Sequence, residues 1–194
     1  MPRMDALNLE AGNYRGTYKL VGGRPSLDLV NTVSWPGTAR MHDWLDSPEN
    51  LQRWMRAIGL PTPKAKASDL KAAIDLRNDL DAVLRPLASG EQPPRRRVED
   101  LNRRIEQASL RRSIDPATLA WKWKPAEQGI DALAPVIMDA AELITAESHD
   151  RLRHCPACAW LFEDRTRNGQ RRWCDMADCG SRDKARRYYN KRSD

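Results

Sequence analysis

Every cysteine of this chain falls in one short pattern, Cys155-x2-Cys158-x15-Cys174-x4-Cys179, and no other feature restricts the fold as strongly. Two closely spaced pairs joined by a longer loop can wrap a single tetrahedral ion from both sides, and zinc takes four thiolates at about 2.3 Å each. Two other readings of four cysteines exist. Two disulfides would fit an exported chain, but the start, MPRMDALNLEAGNYRG, has no apolar run to serve as a signal peptide. A redox pair at Cys155-Pro-Ala-Cys158 should sit in a βαβ unit, and it would leave Cys174 and Cys179 without a role. The expectation is therefore one structural Zn2+ held by Cys155, Cys158, Cys174 and Cys179, with no open coordination position for water.

The residues around the ligands extend this expectation. Ala159 to Phe162 and Gln170 to Trp173 read as two strands of a hairpin, with Asn168-Gly169 as the turn signal between them. Ser181 can cap a helix that RDKARRYYNKR continues for about three turns. At 100° per residue, Ala185, Tyr188, Tyr189 and the stem of Arg192 share a side that can pack on the zinc core. Lys184, Arg186, Arg187 and Lys191 fall on the other side as a basic stripe. Knuckle, hairpin and ligand-bearing helix are the layout of a treble clef.

Charge is segregated in the same way. Residues 151–194 carry 12 of the 33 Lys and Arg but only 6 of the 27 Asp and Glu, so the whole net charge of +6 lies there. A localised basic excess on a zinc scaffold points to a polyanion, most simply nucleic acid, against the plainer reading of a solvated charged surface. Arg171, Arg172, Arg182, Lys184, Arg186, Arg187 and Lys191 are the expected phosphate contacts. No stretch approaches the roughly 20 apolar residues of a membrane span.

Upstream, the sequence is mainly helical. Tyr14 to Val21 reads as a strand ended by Gly22-Gly23, and Pro25 opens a first helix. Ser47-Pro48 opens a second, with Leu51, Trp54, Met55 and Ile58 inward. A long helix runs from Ser68 to about Leu87, and another from Pro94 to Ala108. A hairpin over 110–123 and a last long helix over 129–149 follow. Asp28, Asn31 and Thr32 sit among Leu and Val, and Arg77 lies on the buried stripe of its helix. Such groups need partners, either in an internal hydrogen-bond network or around a ligand. Arg77 would pair with an acid such as Asp28, or reach outward to solvent.

The segment CPACAWLFEDRTRNGQRRWCDMADCGSRDKARRYY resembles the CGNR zinc finger, and GGRPSLDLVNT resembles the opening motif of the ABATE domain that precedes this finger in bacterial proteins. Two positions depart from the pattern: Ser181 stands for the motif Asn, and Leu29 for a Phe. The resemblance implies an α+β, predominantly helical protein, with a helical N-terminal domain and small β-sheet over 15–150, possible ligand sensing there, and a treble-clef zinc finger over 151–194. Residues 1–14 are expected to be loosely attached. It also implies a stress-induced transcription regulator. With no membrane span or signal peptide and with four thiols held as ligands, the expected location is cytoplasmic; DNA is the expected partner of the basic module, and Asp28, Asn31, Thr32 and Arg77 are the candidate residues for a small-molecule effector. A homodimer is expected because one small finger covers few base pairs. An RNA-binding or protein-interaction finger is the alternative. An enzyme is not expected: no His follows His154, as a treble-clef nuclease would require, and no Gly-rich phosphate loop is present.

Overall fold

A computed structural model describes residues 7–9, 17–61, 64–126 and 129–193, with side chains through 190. The expected loose N-terminus, 1–14, lies largely outside the described residues. So does the start of the expected strand over 14–21, whose described part makes a single bridge, Leu7 to Tyr18. Tyr18 is fully buried, and its hydroxyl donates to the Asp28 carbonyl oxygen (2.5 Å) while accepting from Trp54 Nε1 (3.2 Å).

The body is built around one long helix. Among the described residues, six helices and three two-stranded antiparallel sheets follow in chain order: α1 (Pro25–Val30), β1 (Val33–Ser34), β2 (His42–Asp43), α2 (Pro48–Ala57), α3 (Ala67–Ala88), α4 (Arg95–Ser109), β3 (Arg112–Ile114), β4 (Trp121–Trp123), α5 (Ala134–Ile144), β5 (Leu152–His154), β6 (Leu161–Glu163) and α6 (Ser181–Ser193). α3 touches α1, α2, α4 and β5, so its buried face, Ala73, Leu76, Leu80, Val83 and Leu84, joins nearly every layer. Its periodic apolar stripe is the reason: residues three and four apart stack on one side of the cylinder.

Local signals place the helix ends. Ser47 Oγ accepts from Asn50 N (3.3 Å), with Pro48 in the first turn of α2. α3 starts at Ala67, one residue before the expected Ser68, because Asp69 Oδ2 accepts from Lys66 N (2.9 Å) and closes that end. The expected 129–149 helix splits into a 3-10 turn, Gly129–Leu133, and the shorter α5, with Pro135 at the junction. The 110–123 hairpin forms with Ile114 opposite Trp121, and Trp121 is 58% exposed beneath Arg112 rather than packed inward.

The core does not stop at the zinc module. Leu161, Phe162, Trp160, Trp173 and all four cysteines join the same cluster as Leu27, Trp44, Trp54 and Leu80. No helix of the described residues is long and apolar enough to cross a membrane.

Candidate metal centre and nucleic-acid interface

The first ligand pair sits in a hairpin loop. β5 and β6 pair with His154 opposite Leu161, so Cys155 and Cys158 occupy the turn between them. Cys155 N donates to Trp160 O (2.8 Å) and Ala159 N to Cys155 O (2.9 Å); the turn closes with Ala159 at φ 63°. This corrects the expected hairpin. The strand over 161–163 takes its partner from the residues before Cys155, and 170–173 form no strand. The loop that Asn168-Gly169 turns is instead tied down by Asp164, which is 1% exposed. Its Oδ1 accepts from Thr166 N (3.0 Å) and Thr166 Oγ1 (2.5 Å), and its Oδ2 from Arg171 N (2.7 Å). Burial alone would raise this carboxyl, yet these hydrogen bonds outweigh it and hold its pKa below the usual range.

Of the second pair, Cys179 lies on a wide helical turn, Met176–Gly180, that runs straight into α6, and Cys174 immediately precedes the residue that caps it. Its cap is Asp175, whose Oδ1 accepts from Ala177 N (2.8 Å). Ser181, the expected cap, lies within the helical run, and its hydroxyl donates to the Met176 carbonyl (3.1 Å). Gly180 lets Trp173 close in, because a Cβ there would stand 3.2 Å from its ring.

The four sulfurs lie within 4.8 Å of one another, with Cys158 to Cys174 at 3.5 Å and Cys174 to Cys179 at 3.6 Å. A tetrahedral zinc with bonds of about 2.3 Å requires edges of about 3.8 Å. The quartet therefore fits one structural zinc ion. Hydrogen bonding among the thiols, from Cys158 first, pulls Cys155 down, and bonding to Cys155 pushes Cys158 and Cys174 up. Four adjacent sulfurs cannot all ionise without a cation, and a bound metal supplies that charge. Arg182 Nη2 lies 3.4 Å from Cys179 Sγ and 3.1 Å from Asp178 Oδ1.

The centre is fastened to the body by polar contacts that reach across the sequence. Asn31 holds both backbone groups of Leu161: Nδ2 donates to its carbonyl (2.8 Å), and Oδ1 accepts from its N–H (2.7 Å). Trp35 donates its backbone N–H to Cys158 O (3.2 Å) and its indole N–H to Ala157 O (2.8 Å). Trp160 Nε1 returns a bond to Val33 O (3.1 Å), and Arg85 Nη1 donates to Ala159 O (2.8 Å). Lys19 bonds Asp175 Oδ2 at 2.7 Å, which raises the lysine pKa. Glu163 N donates to Gly22 O (2.8 Å), while Gly22 N donates to Asp28 Oδ1 (2.8 Å). Gly22 has no room for a Cβ, which would stand 2.8 Å from that of Leu27.

The expected effector residues are accordingly engaged inside the protein. Asp28 is 6% exposed, and burial pushes its carboxyl up to about 7 against the pull of the Gly22 N–H. Thr32 Oγ1 donates to Leu29 O (2.7 Å) and accepts from Arg77 Nη1 (3.1 Å). Arg77 pairs with Asp43, at 2.6 and 2.8 Å, and not with the expected Asp28. The β1–β2 bridge, Val33 opposite Asp43, brings that carboxylate across. None of these four residues lines any of the three cavities described.

The expected phosphate contacts divide. Arg172, Arg182, Lys184, Arg186 and Arg187 are exposed. Arg171 is half-buried: its guanidinium donates to Trp173 O (3.0 Å) and to Cys174 O, and stacks over Phe162. Lys191 lies on α6, and its side chain is outside those described. The expected packing of Ala185, Tyr188 and Tyr189 on the zinc core is also corrected. All three are exposed, and from Ser181 to Asn190 only Asp183 is buried. Asp183 receives Arg186 (2.8 Å) and Arg187 (2.9 Å) from the next turn of the same helix.

Comparison with family models matches residues 23–147 to ABATE, described as "Putative stress-induced transcription regulator". The match covers well over half of the chain. The chain belongs to the ABATE family. Residues 151–192 match the CGNR zinc finger, so the family's N-terminal domain and this finger adjoin here with the cysteine quartet inside the second match. The two matched descriptions name a regulator domain and a zinc finger, neither of them an enzyme. A search of curated proteins gives no match.

Proposed function

We propose that this ABATE-family protein is a zinc-dependent transcription regulator whose C-terminal module binds DNA. The observation that carries the reading is α6. It leaves the last ligand as a helix with Arg182, Lys184, Arg186 and Arg187 exposed in its first two turns. Phosphate contacts of this kind set affinity and register, while base contacts specify sequence. An RNA or protein partner is the competing reading. For an effector sensed by the body, we propose the seam between the two parts. A cavity of about 320 Å³ there adjoins the metal ligands Cys158, Cys174 and Cys179, and is lined by the indoles of Trp35, Trp44 and Trp160 and by the charged groups of Lys19, Asp175, Asp178 and Arg182. Three indoles suit a planar ring, and the charged groups beside them suit polar substituents on it.

The test of the DNA reading is binding of zinc-loaded, full-length protein to random duplex DNA across a salt series. Lys184→Ala/Arg186→Ala is the comparison, since it leaves Arg187 on Asp183. Each lost phosphate contact should make the log-log salt slope shallower by about 0.9, so the pair by about 1.8. Absence of binding at low salt would refute the DNA reading and favour a protein-contact finger.

A further inference from the structure

On the knuckle side of the metal centre, away in sequence from α6, lies an open groove of about 510 Å³. Its lining has a single sign of charge. Of its eight residues, four are Arg or His, and none is Asp or Glu. The other two cavities differ: Lys19 and Arg182 share theirs with Asp175 and Asp178, and Arg111 pairs with Asp131 in the third.

Pairing sharpens the contrast with α6. Arg186 and Arg187 both lean on Asp183, and Arg182 leans on Asp178, so two carboxylates locally offset the field of these three cations. In the groove, Arg153 and Arg172 have no carboxylate partner among the described residues. Arg153 Nη2 donates only to the Gly169 carbonyl (3.2 Å), and Arg172 stacks over the Trp173 ring at 4.9 Å. Both side chains are exposed, as is His154 beside them. Unpaired guanidiniums in a concavity free of acids make a site for phosphate oxygens, which they can grip with two parallel N–H donors.

We propose that this groove, through Arg153 and Arg172 with His154 at its edge, is a second DNA-backbone contact, so that the duplex is held from both ligand pairs of the metal centre. The proposal rests on the DNA reading above and adds to it residues outside α6.

The experiment is the same salt series on random duplex DNA with zinc-loaded full-length protein, now comparing Arg153→Ala/Arg172→Ala, Arg172→Ala, Arg153→Lys and the α6 pair. The groove double variant should make the slope shallower by about 1.8, and Arg172→Ala alone by about 0.9. Arg153→Lys should stay within a few tenths of wild type, because the charge remains although the Gly169 bond is altered. Arg172→Ala removes a stacking contact and no described hydrogen bond, so it keeps the test valid if the double variant fails to fold. Wild-type slopes in Arg172→Ala and the double variant, beside a reduced slope in the α6 pair, would overturn the groove and leave the DNA reading standing. No binding by wild type overturns both.

Discussion

The two halves of the zinc module are held in opposite ways. The knuckle half, Cys155 to Glu163, is gripped by the body: Trp160 is 7% exposed and Phe162 not at all, and the backbone of 157–161 and Glu163 is met by Trp35, Asn31, Arg85 and Gly22. The helix half stands away, with Tyr188 58% and Tyr189 66% exposed and one buried carboxylate near its base. A module that is fixed on one side and presented on the other behaves as an arm of the body, not as a bead on a linker. α1 and the Trp35 turn hold the knuckle, and the ligand quartet together with the Lys19–Asp175 pair joins it to the start of α6.

Removing the metal should have the largest effect, because it is the joint between the halves. Structural zinc supplies on the order of 10–16 kcal/mol in small fingers. Chelation, or Cys174→Ser, should abolish the ordered knuckle and α6 together, read as loss of helical circular dichroism and a red shift of indole emission from Trp160 and Trp173. If only α6 melts while the Trp160 environment persists, the body holds the knuckle without metal, and the two halves are more independent than their shared quartet implies.

Asn31→Ala tests the grip alone. It strips partners from the buried N–H and carbonyl of Leu161, at a cost of about 1–3 kcal/mol for each. For a chain of this size that lowers Tm by roughly 4–24 °C. The bound zinc should stay at one per chain in the cold, since no ligand is touched. A Tm within a degree of wild type would mean that the knuckle does not depend on α1.

These contrasts follow how legible each part was. The ligand set was readable because spacing alone brings two cysteine pairs together, and Ser47-Pro48 because a cap acts within three residues. What failed were pairings made only by tertiary structure. β5 precedes the first cysteine and is three residues long, so no periodicity announces it as the partner of β6. Asp43 reaches Arg77 through a two-residue strand, again without a pattern. The polar run Asp28, Asn31 and Thr32 does carry a signal, but polarity among Leu and Val marks a group that must be satisfied, not what satisfies it. Here Asn31 satisfies the finger. Asp164-Arg-Thr166 carried an overlooked signal, since an Asp two residues before a Thr favours an Asx-type turn. On α6 the amphipathic spacing was real, yet spacing cannot show whether a surface exists for the face to meet.

The smallest expected effect concerns that face. Tyr188 and Tyr189 meet edge to face, with centroids 5.9 Å apart, on the exposed side of α6. Replacing both by Ala removes mostly exposed ring surface and puts a better helix former at two positions, so the terms oppose each other. The net change should stay within about 0.5 kcal/mol, or roughly 2 °C in Tm. Thermal unfolding of the zinc-loaded Tyr188→Ala/Tyr189→Ala variant checks it. A fall of more than about 5 °C would show that the rings pack on a surface in solution, and the helix would then be held like the knuckle instead of presented. An unchanged Tm leaves the two rings as outward-facing groups beside the cations of α6, where any loss of binding can be assigned to the contact itself and not to the fold.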